Sequence, residues 1–367
     1  MSLSEIKQRI SNRPGRASLG PKGLEIQPAH VDLAAKLRKA YSWLTNEALV
    51  CPLADIEFGE RVTLGSAESD VSCRRGAAFS SYALLPLLNL VTGQRLLFVG
   101  APGRGKTTVA TLMGLLTGDS LEQVRRATQH GHPQLTIADL LGSPLPSSLI
   151  EAREASAIRV TWRSWLTRRV KIIDEYNRIP TKTQSALLSL MAEGYAEQFE
   201  QVVESGPSAW FLTANDDLGG GTFEVIAALK DRIDIVVRAV PYSSHEIAGL
   251  AQRVVARRSP EDVVPREVIF TPDELNSIGQ RIREVPVEES AVEALGLLSS
   301  QLDFCRQASS QLEYMSKDTV HLAGKQLAHV CNEDCPLDKH ENICSQTEHG
   351  ISARTLLSTL LFAKALA

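Results

Sequence analysis

The residues at 100–107 are Gly100, Ala101, Pro102, Gly103, Arg104, Gly105, Lys106 and Thr107, a Gly-x4-Gly-Lys-Thr spacing that suits phosphate chemistry. Glycines let the backbone fold around a polyphosphate with its N–H groups turned inward. Lys106 can reach the β- and γ-phosphates of a nucleotide such as ATP, and the Thr107 hydroxyl can bind Mg²⁺. Thr108 carries the loop into an apolar stretch that reads as a helix, whose N-terminus adds favourable partial positive charge. Asp174 and Glu175 end a second apolar run, 174 − 106 = 68 residues beyond Lys106. There Asp174 would hold Mg²⁺, directly or through water, and Glu175 would polarise an attacking water as general base. A third run, 208–214, ends in Asn215, which could orient that water or merely cap the strand. Arg232, just ahead of a fourth run, could point into a neighbouring subunit's nucleotide as an arginine finger.

These groups need a scaffold that brings strand ends together. Residues 96–99 read as a short buried parallel strand directly before the glycine loop, giving the order strand, loop, helix. Residues 170–173, 208–214 and 234–240 read as further strands, with a helix over 182–193. Side chains at the C-terminal ends of parallel strands face one crevice. Upstream, Leu33, Leu37, Ala40, Tyr41 and Leu44 fall at helical spacing, and 77–90 reads as another helix. Residues 51–78 read as irregular. Residues 123–128 read as a strand, and 136–142 as a helix followed by a loop. Residues 157–161 and 165–169 read as a hairpin bearing Arg159, Trp162, Arg163, Arg168 and Arg169. Such a cluster suits a polypeptide or nucleic-acid ligand; packing against its own domain explains it equally.

Composition narrows the class. The 367 residues are 43% hydrophobic and 22% charged, an ordinary globular balance with length for two or three domains. A formal charge of 39 − 43 = −4 gives no global basic field for nucleic acid. The apolar window 82–99 is broken by Pro86, Asn89, Gln94 and Arg95, which argues against a membrane span, and the first residues show no secretory signal. A cytoplasmic location is expected. Residues 1–27, with Lys7, Arg9, Arg13, Arg16 and Lys22 among Ser, Gly and Pro, read as a mobile tail. Residues 28–243 read as an α/β nucleotide-binding domain with hairpin insertions, and 244–367 as a helical lid.

With these motifs in place the chain resembles the AAA+ ATPases, and within them the MoxR family. The most specific segment runs from Ile172 to Leu188 and contains Asn-Arg-x-Pro-x-Lys-Thr-Gln-Ser-Ala-Leu-Leu. Gly221-Thr-Phe-Glu, the run to Arg232, and Gly350-Ile-Ser-Ala-Arg354 are similar to the family's finger and sensor-2 segments. The resemblance covers roughly residues 80–367. It implies an α/β core with a five-stranded parallel sheet, a helical lid, and a homo-oligomeric ring, commonly a hexamer, with ATP at subunit interfaces. It implies a chaperone-like role that remodels or activates a client, often beside a von Willebrand factor A domain partner. Carried over, Lys106 and Thr107 bind phosphate and Mg²⁺, Asp174 and Glu175 form the second motif, Asn215 is sensor 1, Arg232 the finger in trans, and Arg354 sensor 2, in cis or in trans. The chain departs from the family in lacking Gln before Asn215, in the residues before Ala77, and in a Cys-rich lid insertion. A nucleic-acid-acting AAA+ motor and a metal-chelatase motor subunit are the alternatives.

That insertion holds Cys331, Cys335, His340 and Cys344, spaced C-x3-C-x4-H-x3-C, with His329 and His349 as other candidates for the fourth ligand. Three thiolates and one imidazole suit tetrahedral Zn²⁺, and a short polar segment gains order from a metal. A closed set of four leaves no open position, so a structural Zn²⁺ is expected rather than a catalytic one; free surface cysteines are the alternative. Purified protein is expected to carry about one zinc per chain by elemental analysis. Zinc no higher than the buffer blank would remove this expectation.

Overall fold

The computed structural model describes residues 28–49, 54–64, 71–75, 77–154, 157–215, 223, 225–239, 242, 244–256, 259–262, 264–304, 316 and 350–367. The N-terminal tail and all six candidate zinc ligands lie outside them.

Five parallel strands form the centre: β1 (Arg95–Val99), β2 (Gln129–His130), β3 (Val170–Asp174), β4 (Ala209–Ala214) and β5 (Ile235–Arg238). Their order across the sheet is β5-β1-β4-β3-β2. The register pairs Val99 with Ala214 and Leu212 with Ile173, so β1, β3 and β4 end almost level. Parallel strands covered on both faces are apolar throughout, and Ala209–Ala214 is buried at every position. The glycine loop after Val99, the carboxylates after Ile173 and Asn215 after Ala214 therefore open on the same edge.

Alternation sends the two faces to different partners. Leu96, Phe98, Val170, Ile172, Ala209 and Phe211 pack on one side with α3 (Lys106–Leu116). Also on that side are α1 (Pro28–Trp43), α2 (Ser81–Thr92) and α6 (Pro272–Glu284). Leu97, Ile173, Trp210 and Leu212 face the other way, against α4 (Thr181–Ala192) and Trp165. In α1, Ala40 is fully buried, as is Leu44 in the π-helical turn Leu44–Ala48 that continues it, and Leu33, Leu37 and Tyr41 pack against the core, as the helical spacing predicts. Beyond β5 the described residues hold the helices α5 (Ser244–Ala256), α6, α7 (Glu289–Asp303) and α8 (Ala353–Leu366).

Several local expectations are corrected. Residues 123–127 belong to the helix Leu121–Ala127, with Thr128 as its C-cap, because Ser120 and Gln123 form a reciprocal capping box that satisfies first-turn N–H groups. Only Gln129 and His130 go on to pair with β3. Val160–Trp162 pairs with Gly142–Pro144, not with 165–169, and the helix Pro146–Glu151 lies inside that hairpin. Ser164–Thr167 is a 3-10 turn that buries Trp165, whose indole Nε1 donates to Leu140 O at 2.7 Å and whose ring meets Trp210 edge-on. The expected Trp and Arg surface is thus partly core. Residues 51–78 hold short strands, Ile56–Glu57 and Ala78–Phe79 pairing with each other, as do Glu60–Leu64 and Val71–Arg75. A second hairpin, Tyr195–Gln198 with Gln201–Glu204, precedes β4.

One buried group works against stability. Lys171 is fully enclosed on the Trp210 side of β3. Its Nζ donates to Arg168 O at 2.7 Å, and burial pushes its ammonium down to about 7. The unfolded chain holds that proton up to its ordinary, higher pKa while the folded chain releases it near 7, so this lysine's cost is full below about 7 and fades as pH rises from there. Lys171→Met is expected to raise unfolding free energy by about 2 kcal/mol at pH 7. Denaturant melts at pH 7 and pH 10 should show the gain shrinking at the higher value. A gain independent of pH would refute the assignment.

Candidate nucleotide site

The loop after β1 turns on glycines in left-handed conformations, Gly103 at φ +75° and Gly105 at φ +74°. A Cβ at Gly103 would meet no atom within 4 Å, so it is the left-handed backbone and not crowding that calls for glycine there. At Gly100 a Cβ would come within 2.7 Å of Ala239 O, which keeps the turn tight against the end of β5. Tyr82 of α2 braces the loop from below, its hydroxyl donating to Arg104 O at 2.8 Å. Lys106 is the first residue of α3 and is almost fully buried.

The side chains singled out in the sequence join in one network. Lys106 Nζ donates to Gly100 O at 2.6 Å, to Ala101 O at 2.9 Å and to Asn215 Oδ1 at 2.8 Å. Asn215 Nδ2 donates in turn to Glu175 Oε1 at 2.6 Å. Thr107 Oγ1 donates to Asp174 Oδ1 at 2.8 Å. Asp174 belongs to the same strand face as Val170 and Ile172, the face covered by α3. Five expected residues from three separate segments thus meet at one sheet edge.

Three further residues complete this arrangement and were not singled out in the sequence. Thr213 Oγ1 donates to Asp174 Oδ1 at 2.6 Å and accepts from the Glu175 backbone N–H at 2.9 Å. Its signal was its place two residues before Asn215 on one strand, which puts both on one side. Gly131 N donates to Asp174 O at 2.7 Å, and a Cβ on Gly131 would lie 2.1 Å from Glu175 O. Only glycine lets the end of β2 come this close. His130 Nδ1 stands 3.5 Å from Asp174 Oδ2. These contacts surround Glu175, which has a left-handed backbone at φ +54°, a costly conformation for a residue with a Cβ. Its other oxygen meets Arg178 Nε at 3.3 Å.

Arg232 and Arg354 are not part of this network. Arg232 donates to Ala228 O at 2.7 Å. Arg354, near the start of α8, pairs with Asp231 at 2.5 Å, beside Arg232. One turn on, Ser358 donates to Asp234, which also holds Arg95 through a two-point contact at 2.7 and 3.0 Å. The segment carrying Arg232 is thus clasped by α8 on one side and anchored to β1 on the other.

Residues 95–233 match the AAA domain of the dynein-related subfamily. The chain carries an AAA ATPase domain. Its overall fold is similar to the crystal structure of a candidate ATPase from Cytophaga hutchinsonii, with a TM-score of 0.53 and 16% identity over 92% of this chain and 89% of that one. No curated protein sequence matches the chain. The AAA domain takes ATP with Mg²⁺, and the residues present fit that pair. The Thr107 hydroxyl and Asp174 carboxylate are adjacent oxygen donors of the kind Mg²⁺ takes. Bound there, Mg²⁺ would neutralise charge on the phosphates. Among the described residues no helix is long and apolar enough to cross a membrane.

Glu175→Gln is expected to keep ATP binding and lower the turnover rate by about 10² to 10⁴. Thr213→Val, which removes the hydroxyl shared by Asp174 and the Glu175 N–H, should lower kcat about tenfold and, by leaving that buried N–H without its acceptor, cost about 1–3 kcal/mol of stability. Steady-state ATPase assays with parallel nucleotide-binding titrations check both. Wild-type turnover in Glu175→Gln would dismiss Glu175 as the base.

Proposed function

We propose that this chain is an ATP-driven motor of MoxR type that remodels or activates a partner protein. The carrying observation is the bonded path from Lys106 through Asn215 to Glu175, with Asp174 beside it. Lys106 would bind the γ-phosphate, Asn215 would hold the attacking water between that phosphate and Glu175, and Glu175 would take its proton. When ATP enters, Lys106 exchanges its loop carbonyls for phosphate oxygens, and the change passes through Asn215 to the base.

An arginine finger is needed from outside this network, and Arg232 is the candidate. Its separation from its own subunit's Lys106 and Glu175 cluster supports action on a neighbour, in a homo-oligomeric ring, a hexamer in the MoxR pattern. Residues 28–243 then form the nucleotide-binding unit and 244–367 the lid, with Arg354 as sensor 2 and a structural Zn²⁺ in the lid insertion.

Two insertions supply the contact surface for a client. The helix inside the first hairpin exposes Leu145, Leu149 and Ile150, the last to 87%. The second hairpin turns through Phe199 and Glu200, both at positive φ, and leaves Phe199 and Val202 exposed. Strained, apolar tips favour a polypeptide over nucleic acid. Gln201 ties the insertions together, accepting from Val160 N at 3.2 Å and donating to Ile158 O. The partner is a client protein, a von Willebrand factor A domain protein being the pattern in similar motors.

ATPase rate measured against protein concentration, with solution mass read with and without ATP and Mg²⁺, tests the shared site. Specific activity should climb with concentration as a ring forms. Arg232→Ala should lower kcat by about 10³ without weakening ATP binding. A fully active monomer would reject the ring and the finger together.

A further inference from the structure

A cleft of about 360 Å³ opens at the base of the sheet, at the strand ends opposite the glycine loop. It lies between the segment before β3, the turn before β4, the end of α3 and the first turns of α6, and is lined by Thr117, Asp119, Arg168, Arg169, Ser205 and Asn276. Five residue steps along β3 separate Arg169 from Asp174, roughly 16 Å, so this cleft is distinct from the nucleotide network.

Its two arginines are not alike. Arg168 is neutralised by Asp119 at 2.5 Å. Arg169 meets no carboxylate among the described residues: it donates through one terminal nitrogen to the neutral Asn276 Oδ1 at 2.5 Å. Its Nε is out of solvent with no hydrogen-bond partner. A buried donor on a charged group is costly unless something accepts from it. Burial alone pushes the guanidinium down, as expected for a cation without a counter-ion. The remaining charges nearby do not supply one. Glu274 of α6 is engaged by Lys36 at 2.7 Å and by the Thr271 N–H, and Lys171 points its ammonium at Arg168 O. The Ser205 hydroxyl lines the same cleft, whereas the Thr117 hydroxyl is taken up by Gly114 O and the first turn of α6 is closed by its own Thr271–Glu274 capping box, which leaves Arg169 as the group that would hold a ligand.

We propose that this cleft binds a small oxyanion, a carboxylate or phosphate group, on Arg169, bridging the base of the sheet to α6. The guanidinium fork matches either group in geometry, and the single uncompensated charge sets the ligand at one anionic group.

The test uses the full chain with Lys106→Ala, so that the glycine loop does not itself report phosphate. Inorganic phosphate and, separately, acetate are titrated at constant ionic strength, with heat and unfolding midpoint as readouts. Saturable binding of at least one anion is expected, weakened about tenfold or more when Arg169→Gln is added. Phosphate binding without acetate binding assigns the site to phosphate groups, and the reverse assigns it to carboxylates. Should Arg169→Gln fail to fold, Asn276→Asp decides: it places a carboxylate against Arg169, and is expected to raise the unfolding midpoint while abolishing anion binding. No saturable response to either anion, or an equal response with and without these changes, overturns the proposal.

Discussion

The active edge depends on one carboxylate oxygen. Asp174 Oδ1 accepts from Thr107 at the head of α3 and from Thr213 near the end of β4. Helix, central strand and adjacent strand are therefore joined at a single atom. The sheet register makes this possible: β3 and β4 run parallel, and their alternation aims Asp174 and Thr213 at the same face. Shifting either strand by one residue would turn one partner to the opposite face and break the network. The apolar core of α3 and the sheet thus serves a positional purpose beyond stability. Its packing holds the Thr107 hydroxyl against the Asp174 carboxylate and Lys106 against Asn215.

The same logic explains the polar residues buried in otherwise apolar surroundings. Asn89 in α2 donates to Trp210 O at 3.0 Å, which ties that helix to β4. Gln184, wholly enclosed in α4, donates to Ile179 O and accepts from Ile226 N, while Thr183 donates to Leu135 O. A buried amide that satisfies two backbone groups fixes loops that no apolar contact could orient. The Thr-Gln pair in the segment after the carboxylates is thereby a structural device. It holds the approach to Arg232, since Ile226 leads into the helix Ala227–Lys230.

Much of this was legible in the sequence because the relevant physics is local. Glycines before a lysine at a helix start, and apolar runs ending in Asp-Glu or Asn, specify both the element and its chemistry, while the count of five parallel strands was what the AAA+ resemblance implied. What escaped depends on contacts distant along the chain. Gly131 is an unremarkable glycine until β2 is laid against β3, where a Cβ would strike Glu175 O. Around Trp165 the arginine-rich sequence left a ligand surface and packing on its own domain equally open, and only the fold shows that its indole finds Leu140 O and its ring finds Trp210. At 123–128 a strand was expected, but the capping box between Ser120 and Gln123 starts a helix there.

The C-terminal helix raises a different kind of constraint. Arg354 and Ser358 lie four residues apart, on one face of α8, and meet Asp231 and Asp234 on either side of Arg232. Asp234 is simultaneously held by Arg95 at the start of β1, the strand that ends in the glycine loop. Any displacement of α8 must therefore either carry the Arg232 segment with it or break a charged contact that is partly open to water. The exposed Arg354–Asp231 pair is the weaker of these links, because solvent screens it, whereas the Asp234 carboxylate is almost fully enclosed. Motion of the helix about the Asp234 anchor, with Arg354 released first, is the movement this distribution of burial permits.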